Sequence, residues 1–332
     1  MQALAPPWPG AVAVSGGADS TALMLLLADW ARADERPPPI VLTVDHGLRP
    51  ESRKDAEGAK KLAASLKLDA HVLSWKGAKP AADVEAEARS ARYTLMGRWC
   101  AEHGIPALYV AHTLEDQAET FLLRLARGSG LDGLSGMLPL APLPVPEFTQ
   151  VRLARPLLPF PKEELRAFLR DRKVAWSEDP MNRDPRFSRS KLRAAWPQLM
   201  ELGLTPVRVA DAATHLARAR AAIEDMTRGF LHRGVRFAEH AAAIDPLRLK
   251  VLPREVGLRA LASVLSHVAD AEYGPRFDRL ERLFDSILAG SLGGGATLHG
   301  CMVAPAPGGE QVFGSATILI TPEPGRKNTR RE

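Results

Sequence analysis

Cysteine is almost absent from this chain, which has only Cys100 and Cys301 among its 332 residues. They form no CxxC pair and no zinc-binding set, so neither a disulfide framework nor a cysteine-rich metal site organises the fold. The longest apolar run, TALMLLLA, is too short to span a bilayer. The opening MQALAPPWPG lacks a basic segment followed by an apolar one. We therefore expect no signal peptide, no membrane association and a reducing, cytoplasmic location.

The composition is that of an ordinary globular protein, with 45% hydrophobic and 25% charged residues. The net charge of +5 permits an anionic partner such as nucleic acid without requiring one. A chain of this length exceeds one ordinary core, so we expect two domains.

Strand-like and helix-like stretches alternate through the first half of the chain. The predicted strands are Ala11–Val14, Ile40–Val44, Ala70–Trp75 and Ala107–Ala111, and the predicted helices are Asp19–Ala33, Glu51–Leu68, Val84–His103 and Glu115–Arg127. This alternation predicts an α/β fold, a parallel sheet with helices on both faces. The polar stretches SGGADS, DHGLRP and HTLEDQ each follow a strand, at the edge of the sheet where ligands bind.

The rest of the chain is predicted to form a long loop and then a mainly helical region. Residues 128–150, rich in Gly and Pro, predict a long surface loop. The later predicted helices are Pro161–Arg172, Pro206–Arg233, Pro253–Val268 and Arg276–Ala289, and residues 296–320 predict short strands around a PGGE turn. We expect a catalytic domain over residues 1–200, a smaller, mainly helical domain with a short β element over 201–325, and a basic disordered tail over 326–332.

The stretch SGGADS lies between the first strand and the first helix, where phosphate-binding loops lie. It is neither a Walker A motif nor a dinucleotide fingerprint. Glycines let backbone N–H groups approach an anion, and the following helix adds its dipole. Asp19 would repel bare phosphates, but it fits if Mg²⁺ lies between carboxylate and phosphates. The alternative is that Asp19 or Ser20 only caps the helix.

Acidic residues follow the fourth strand. His112, Glu115, Asp116 and Glu119 have the spacing i, i+3, i+4 and i+7, which predicts one face of a helix. Crowded carboxylates need a cation, which can be Mg²⁺, a substrate amine or a protein arginine. One of them could act as a general base, and the sequence does not say which. The alternative is a solvated acidic face.

Two further groups lie at or near the same edge of the predicted sheet. Val44, Asp45 and His46 end the second strand, where the backbone could bind an adenine edge; an ordinary Asx turn is the alternative. Arg92 shares a helix face with Arg89, and ion pairing alone is the alternative there.

A basic stretch follows Ser177. Arg183, Arg189 and three other basic residues surround Phe187, a composition that suits the phosphates and bases of single-stranded RNA. A solvated connector between the domains is the alternative.

SGGADS resembles the loop of the ATP-pyrophosphatase, or PP-loop, enzymes, which cleave ATP between the α- and β-phosphates. Within that class the chain resembles the tRNA(Ile)-lysidine synthase family over roughly its first 200 residues. The stretches that carry the resemblance are VDHGLRPES, EAEARSARY, AHTLEDQAETFLLRLARGSGLDGLSGM, and RPLLPFPKEELRAFL leading into WSEDPMNRDPRFSRSKLR. The chain departs from the family at Glu115, usually aspartate, and at Ser190, often asparagine.

The resemblance implies an activity. The family joins free L-lysine to the wobble cytidine of an isoleucine tRNA with the anticodon CAU, using ATP and Mg²⁺. The cytidine O2 attacks the α-phosphate and pyrophosphate leaves; the lysine ε-amine then displaces AMP. The second domain would contact the tRNA, and a homodimer is left open.

The resemblance also implies a role for each candidate residue. Catalytic roles fall to Asp19, Asp116, Glu119 and Arg92, nucleotide binding to Ser15, Gly16, Gly17, Ala18, Asp19, Ser20, Val44, Asp45, His46 and His112, metal binding to Asp19, and binding of lysine or tRNA to Asp116, Glu119, Arg92, Arg183 and Arg189.

Two other PP-loop activities compete with this one. A tRNA thiolase generally needs paired cysteines or an iron–sulfur cluster, which the two distant cysteines do not favour. An ammonia-using small-molecule ligase would not need the arginine-rich stretch and would act without RNA.

Overall fold

The structure is a computed structural model that describes residues 7–47, 52–77, 84–177, 188–271, 273–306, 312–314 and 317–324, except for the side chains of residues 84 and 85. The chain divides into two compact units, Met1–Ala217 and Arg218–Glu332. Within the described ranges, no helix has the length and apolar character needed to cross a membrane. The predicted domain limits at residues 200 and 325 stay predictions.

The first unit alternates strands and helices. Its strands are β1 (Gly10–Ala13), β2 (Ile40–Asp45), β3 (Ala70–Ser74), β4 (Ala107–Tyr109), β5 (Leu140–Pro142) and β6 (Arg152–Ala154). Its helices are α1 (Ala18–Ala33), α2 (Ser52–Ser65), α3 (Val84–Glu102), α4 (Leu114–Leu125), α5 (Leu131–Leu134), α6 (Lys162–Asp171) and α7 (Ser188–Glu201), and α8 (Pro206–Gly234) begins here.

The six strands form one sheet in the order β3-β2-β1-β4-β6-β5, parallel except for β5, which runs antiparallel to β6. Successive residues of a strand face opposite sides. Val12 therefore packs with α1, α2 and α6, while its neighbour Ala11 packs with α3. Both sides are buried, as expected of parallel strands under helices. This confirms the predicted α/β fold.

The strand order creates a crevice. From β1 the chain moves outward to β2 and β3, then returns to the other side of β1 at β4. The segments that leave β1 and β4 therefore diverge at a topological switch point, where open α/β sheets bind ligands. The segment after β6 borders the same edge, because β6 pairs with β4.

The second unit packs helices against a five-stranded antiparallel sheet. Its strands, in the order β7-β8-β11-β10-β9, are β7 (Val235–Ala238), β8 (Ala241–Ile244), β9 (Ala296–Leu298), β10 (Cys301–Pro305) and β11 (Ile318–Pro322). The helices that follow α8 are α9 (Pro246–Lys250), α10 (Arg254–Ala269) and α11 (Phe277–Leu288). Leu261 of α10, Phe284 of α11 and Ile320 of β11 are buried in one core.

Two parts of the fold differ from the sequence expectation. Residues 128–150, expected to be a loop, contain α5, β5 and a short 3-10 helix at Pro146–Phe148. The β element of the second unit is larger than expected, because β7 and β8 join the predicted C-terminal strands.

Candidate active site

The SGGADS segment forms a tight turn from β1 into α1. Gly16 has φ of +86°, a left-handed conformation that favours glycine. The Ser20 hydroxyl accepts a hydrogen bond from the Ser15 N–H and donates one to the Gly17 carbonyl, both at 3.1 Å. The two serines predicted to bind nucleotide thus hold the loop itself. The N–H groups of the first turn of α1, at Ala18 and Asp19, remain available to an anion.

The segment after β4 enters α4 through a capping box. Thr113 is the N-cap, and its N–H and hydroxyl each donate to Asp116 Oδ2 at 3.0 Å. The helix therefore begins at Leu114, and His112 lies before it rather than on its face. The sequence interpretation of four residues on one helical face was wrong for His112, because the cap ends the helical spacing. Glu115, Asp116 and Glu119 do belong to α4.

A lysine that the sequence analysis did not select joins the two aspartates. Lys162, the first residue of α6, places its Nζ 3.1 Å from Asp116 Oδ1 and 3.8 Å from Asp19 Oδ2. Burial raises the pKa of Asp19, and Lys162 only partly opposes this effect. Burial also acts to raise the pKa of Asp116, but Lys162, His112 and the Thr113 N–H together hold it below its usual value. Asp116 is therefore an ionised carboxylate.

Glu115 caps the N-terminus of helix α6. Both of its carboxylate oxygens accept a hydrogen bond from the Lys162 backbone N–H, at 3.1 and 3.0 Å. Pro161 supplies no side-chain cap for α6, so Glu115 provides the acceptor for the N-terminus of that helix. Helix α4 thus holds residue 162 at its backbone and at its ammonium group.

Glu119 is paired with an arginine from α7. Arg193 donates to it from Nε at 2.6 Å and from Nη2 at 3.1 Å, a two-point contact between guanidinium and carboxylate. The Glu119 side chain is only 2% exposed, so this charge depends on Arg193 for its compensation.

His112 is half-buried and interacts electrostatically both with Asp116 and with a set of arginines. Burial lowers its pKa well below the usual value, and this outweighs the attraction of Asp116. The arginines 155, 89 and 92 lower the pKa further. The imidazole is therefore neutral at physiological pH, and its Nδ1 has no hydrogen-bond partner among the described residues.

The end of β2 is a closed turn. Asp45 Oδ1 accepts hydrogen bonds from the Gly47 N–H and the Ser52 hydroxyl, which lower the pKa of this carboxyl. Its backbone carbonyl accepts a hydrogen bond from the Trp75 N–H at 3.0 Å, which pairs the end of β2 with the residue that follows β3. The Asp45 side chain makes the Asx-type turn that was the alternative interpretation. The nucleotide-binding roles of Val44, Asp45 and His46 stay predictions.

The arginines predicted to bind substrate differ in how much of them the structure describes. Arg92 lies on α3 with its Cζ 5.4 Å from the centre of the Tyr93 ring, and Arg189 on α7 lies close enough to repel it. Burial lowers the pKa of Arg92. Arg183 lies outside the described residues, so its role stays a prediction.

Helix α4 also fixes the glycine-rich segment that follows it. The Gln117 amide donates to the Met137 carbonyl at 3.1 Å and accepts from the Met137 N–H at 2.7 Å. Arg124 Nη1 donates to the carbonyls of Gly133 and Gly136. A Cβ on Gly136 would lie 2.7 Å from Gln117, and its φ is +66°. This segment is therefore a strap bound to α4 rather than a free loop.

Sequence reasoning missed Lys162 and Arg155, and it assigned Arg193 to RNA binding alone. Lys162 begins a predicted helix and Arg155 opens the quoted RPLL stretch, so position was the only available signal. Their partners are 46, 17 and 74 residues away in sequence, at Asp116, Leu138 and Glu119. Among the described residues, no group of three or more His, Cys, Asp or Glu side chains forms a metal site.

Comparisons with known proteins agree with the fold. A family profile described as the PP-loop domain matches residues 9–199. Among solved structures, the U34-tRNA thiolase NcsA from Methanococcus maripaludis, with its [4Fe-4S] cluster, matches with a TM-score of 0.53 and 19% identity over 66% of this chain and 74% of that one. At that identity the likeness concerns the fold alone.

Relatives by sequence are more specific. The tRNA(Ile)-lysidine synthase of Bradyrhizobium sp. (strain BTAi1) is 41% identical over 95% of this chain and 90% of its own length. The enzymes of the same name from Bradyrhizobium diazoefficiens and Anaplasma marginale are 43% and 34% identical, over 84% and 90% of this chain and 79% and 63% of their own lengths. The chain belongs to the tRNA(Ile)-lysidine synthase family of PP-loop proteins.

Proposed function

We propose that this protein joins free L-lysine to the wobble cytidine of an isoleucine tRNA with the anticodon CAU, and that it uses ATP to do so. The cytidine O2 attacks the α-phosphate, a bond to phosphorus forms and pyrophosphate leaves. The lysine ε-amine then attacks C2, the C2–O bond breaks, AMP leaves and the nitrogen loses a proton. Family membership supports the proposal, which makes the protein a ligase that forms a carbon–nitrogen bond.

The observation that carries the proposal is the pair of carboxylates at the glycine loop. Asp19 on α1 and Asp116 on α4 approach the same ammonium group at the switch point of the sheet. The loop supplies N–H groups for the anionic phosphates, and the carboxylates supply the place for a cation.

The residues fit ATP with Mg²⁺. Magnesium is usually bound by one or two carboxylates together with substrate phosphates, and Asp19 supplies such a carboxylate beside the loop. Asp19 would hold the metal, with Ser15, Gly16, Gly17, Ala18 and Ser20 shaping the loop that receives the phosphates. When bound, the metal would neutralise charge on the departing pyrophosphate.

The substrate L-lysine would bind on α4, where its amines would replace protein cations as partners of the carboxylates. Asp116 and Glu119 pair with Lys162 and Arg193 here, so each already holds a group of the kind that the substrate amines would present. The ionised state of Asp116 suits an ammonium or an amino group. Neutral His112 can accept or donate a hydrogen bond beside the nucleotide without adding charge. Arg92 would stabilise negative charge at the reacting phosphate.

The tRNA would be bound by the basic residues that follow Ser177, including Arg183 and Arg189, and by the second unit. Whether two copies of the chain act together is left open.

The two cysteines disfavour a thiolase. Cys100 packs in the core beside α3, and Cys301 packs in the core of the second unit. Burial raises the pKa of the Cys100 thiol to about 12, so it is not a nucleophile at neutral pH.

The test is the incorporation of radiolabelled lysine into tRNA transcripts with the anticodon CAU, one of the isoleucine type and one of the methionine type, with ATP and Mg²⁺. We expect label in the isoleucine transcript alone. In the Asp19→Asn variant, the rate of lysine incorporation should fall by about 10²-fold or more, because a charge contact at the reacting groups is lost. ATP cleavage that depends on ammonia and a small acid, without label in RNA, would instead indicate a small-molecule ligase.

A further inference from the structure

Three arginines gather around one tyrosine beyond His112. Arg89 and Arg92 place their Cζ atoms 5.1 and 5.4 Å from the centre of the Tyr93 ring. Arg155 follows β6 directly and interacts electrostatically with Tyr93 and Arg89. We call Arg89, Arg92 and Arg155 the arginine cluster.

The cluster contains a buried cation without a counter-ion. Arg155 is only 8% exposed, and its Nη1 donates to the Leu138 carbonyl at 2.7 Å. Its Nε is buried and has no hydrogen-bond partner in the part of the chain that the structure describes. In that same part, no carboxylate forms an ion pair with any of the three arginines. An uncompensated buried charge is costly, so an anion bound beside these described arginines would lower that cost.

Among the described neighbours of the cluster, the charged groups are positive and add to its charge. His112 is the adjoining titratable group, and it is neutral. Arg189 of α7 adds a further positive charge near Arg92, and Arg124 of α4 adds one near Arg155. A planar guanidinium with free N–H donors matches the oxygens of a phosphate.

The position of the cluster separates it from the expected triphosphate. Arg155 follows β6, two strands from β1, and neighbouring strands lie about 4.8 Å apart. The glycine loop follows β1, and the predicted adenine site follows β2 on its far side. Arg155 thus follows a strand that lies beyond β4, on the side away from β1 and β2. Arg92 of α3 lies near Arg189 of α7, which belongs to the predicted RNA-binding stretch.

We propose that the arginine cluster binds a backbone phosphodiester of single-stranded RNA, beside the nucleotide that is modified. The proposal rests on the proposed function, because it assumes an RNA substrate whose target base enters the crevice near His112. Arg155 and Arg89 contact the phosphate oxygens, and the Leu138 carbonyl orients Arg155. This site uses phosphate charge and no base edge, so it positions the strand rather than reading its sequence.

The test uses full-length protein and a hairpin RNA that carries a CAU anticodon loop, without ATP or lysine. Fluorescence anisotropy gives the RNA affinity across a salt series for the wild type, Arg155→Met, Arg155→Lys and Arg89→Met. Arg98→Met is the matched control, since Arg98 is an exposed arginine on the same helix α3. Calorimetry gives the affinity for ATP with Mg²⁺.

We expect Arg155→Met to bind the hairpin about tenfold more weakly, with the slope of log affinity against log salt reduced by about 0.7. The RNA affinity of Arg155→Lys should lie between those of the wild type and Arg155→Met, and that of Arg89→Met should resemble that of Arg155→Met. The RNA affinity of Arg98→Met should equal that of the wild type. The affinity for ATP should be unchanged in all variants. Arg89→Met keeps the test valid if Arg155→Met fails to fold.

Wild-type RNA affinity and salt slope in Arg155→Met and in Arg89→Met would overturn the proposal. A fall in ATP affinity with RNA binding intact would also overturn it, because the anion would then be a nucleotide phosphate. Failure of the proposed function is a separate result: no lysine would enter tRNA with the wild-type protein, while hairpin binding would still depend on Arg155.

Discussion

The two sides of the candidate active site differ in whether their charged side chains have counter-ions. On the α4 side each carboxylate already has a partner, with Lys162 serving Asp116 and Asp19, and Arg193 serving Glu119. On the side of the arginine cluster, no described carboxylate forms an ion pair with Arg89, Arg92 or Arg155. Neutral His112 lies between the two sides. On the acidic side, the negative charges are therefore compensated without substrate, and a substrate cation would bind by replacing Lys162 or Arg193. On the basic side, we propose that a bound anion compensates the positive charge of the arginines.

The pair Glu119–Arg193 should contribute most to stability on the acidic side. Glu119→Gln removes the buried carboxylate that accepts both hydrogen bonds from the Arg193 guanidinium, and we expect a loss of about 2 kcal/mol in the free energy of unfolding by urea. Glu163→Gln is the matched control, because the pair Glu163–Arg170 is exposed, and it should cause no measurable change.

A double replacement sharpens this test. Changing both Glu119 and Arg193 to leucine should restore most of the lost stability, because neither charge is then buried alone. A double variant that is less stable than Glu119→Gln would contradict the view that mutual compensation is the main role of this pair.

Lys162→Met should have a smaller effect that depends on pH. The folded-state pKa of Asp116 lies below the unfolded value of about 3.9, so its pairing stabilises the protein above that pH and is lost as the pH falls through the folded pKa. Removing the ammonium group weakens this contribution. The wild type should exceed the variant by about 1 kcal/mol at neutral pH.

Urea unfolding at a series of pH values measures this difference, with Lys191→Met, an exposed lysine of α7, as the control. The gap should shrink below about pH 4. A gap that is constant or grows in acid would show that Lys162 does not act through Asp116.

The fold was largely predictable because its signals are local. Apolar runs such as that of β2, bounded by polar turns, predicted the first four strands, β1 to β4, to within two residues at each end. The strands β5 and β6 were missed, because each is three residues long and β5 lies in the Gly- and Pro-rich stretch predicted to be a loop. The capping box was also missed, so His112 was assigned to the helix that Thr113 begins.

The site was predictable in its acidic residues and not in their partners. Asp19, Asp116 and Glu119 stand in compact motifs that place them at one edge of the sheet. Lys162 and Arg193 reach them from helices far along the chain, and no spacing rule links residues 46 and 74 positions apart. Charge compensation is a property of the folded site, which is why the sequence showed crowded carboxylates without the cations that neutralise them.

The most direct test of the two-sided site is a crossed binding measurement. The affinities for ATP with Mg²⁺ and for the CAU hairpin RNA would be measured separately for the wild type, Asp19→Asn and Arg155→Met. The account predicts that Asp19→Asn weakens only the nucleotide and Arg155→Met weakens only the RNA. If both variants weaken the same ligand, the two sides do not have separate tasks and the division proposed here is wrong.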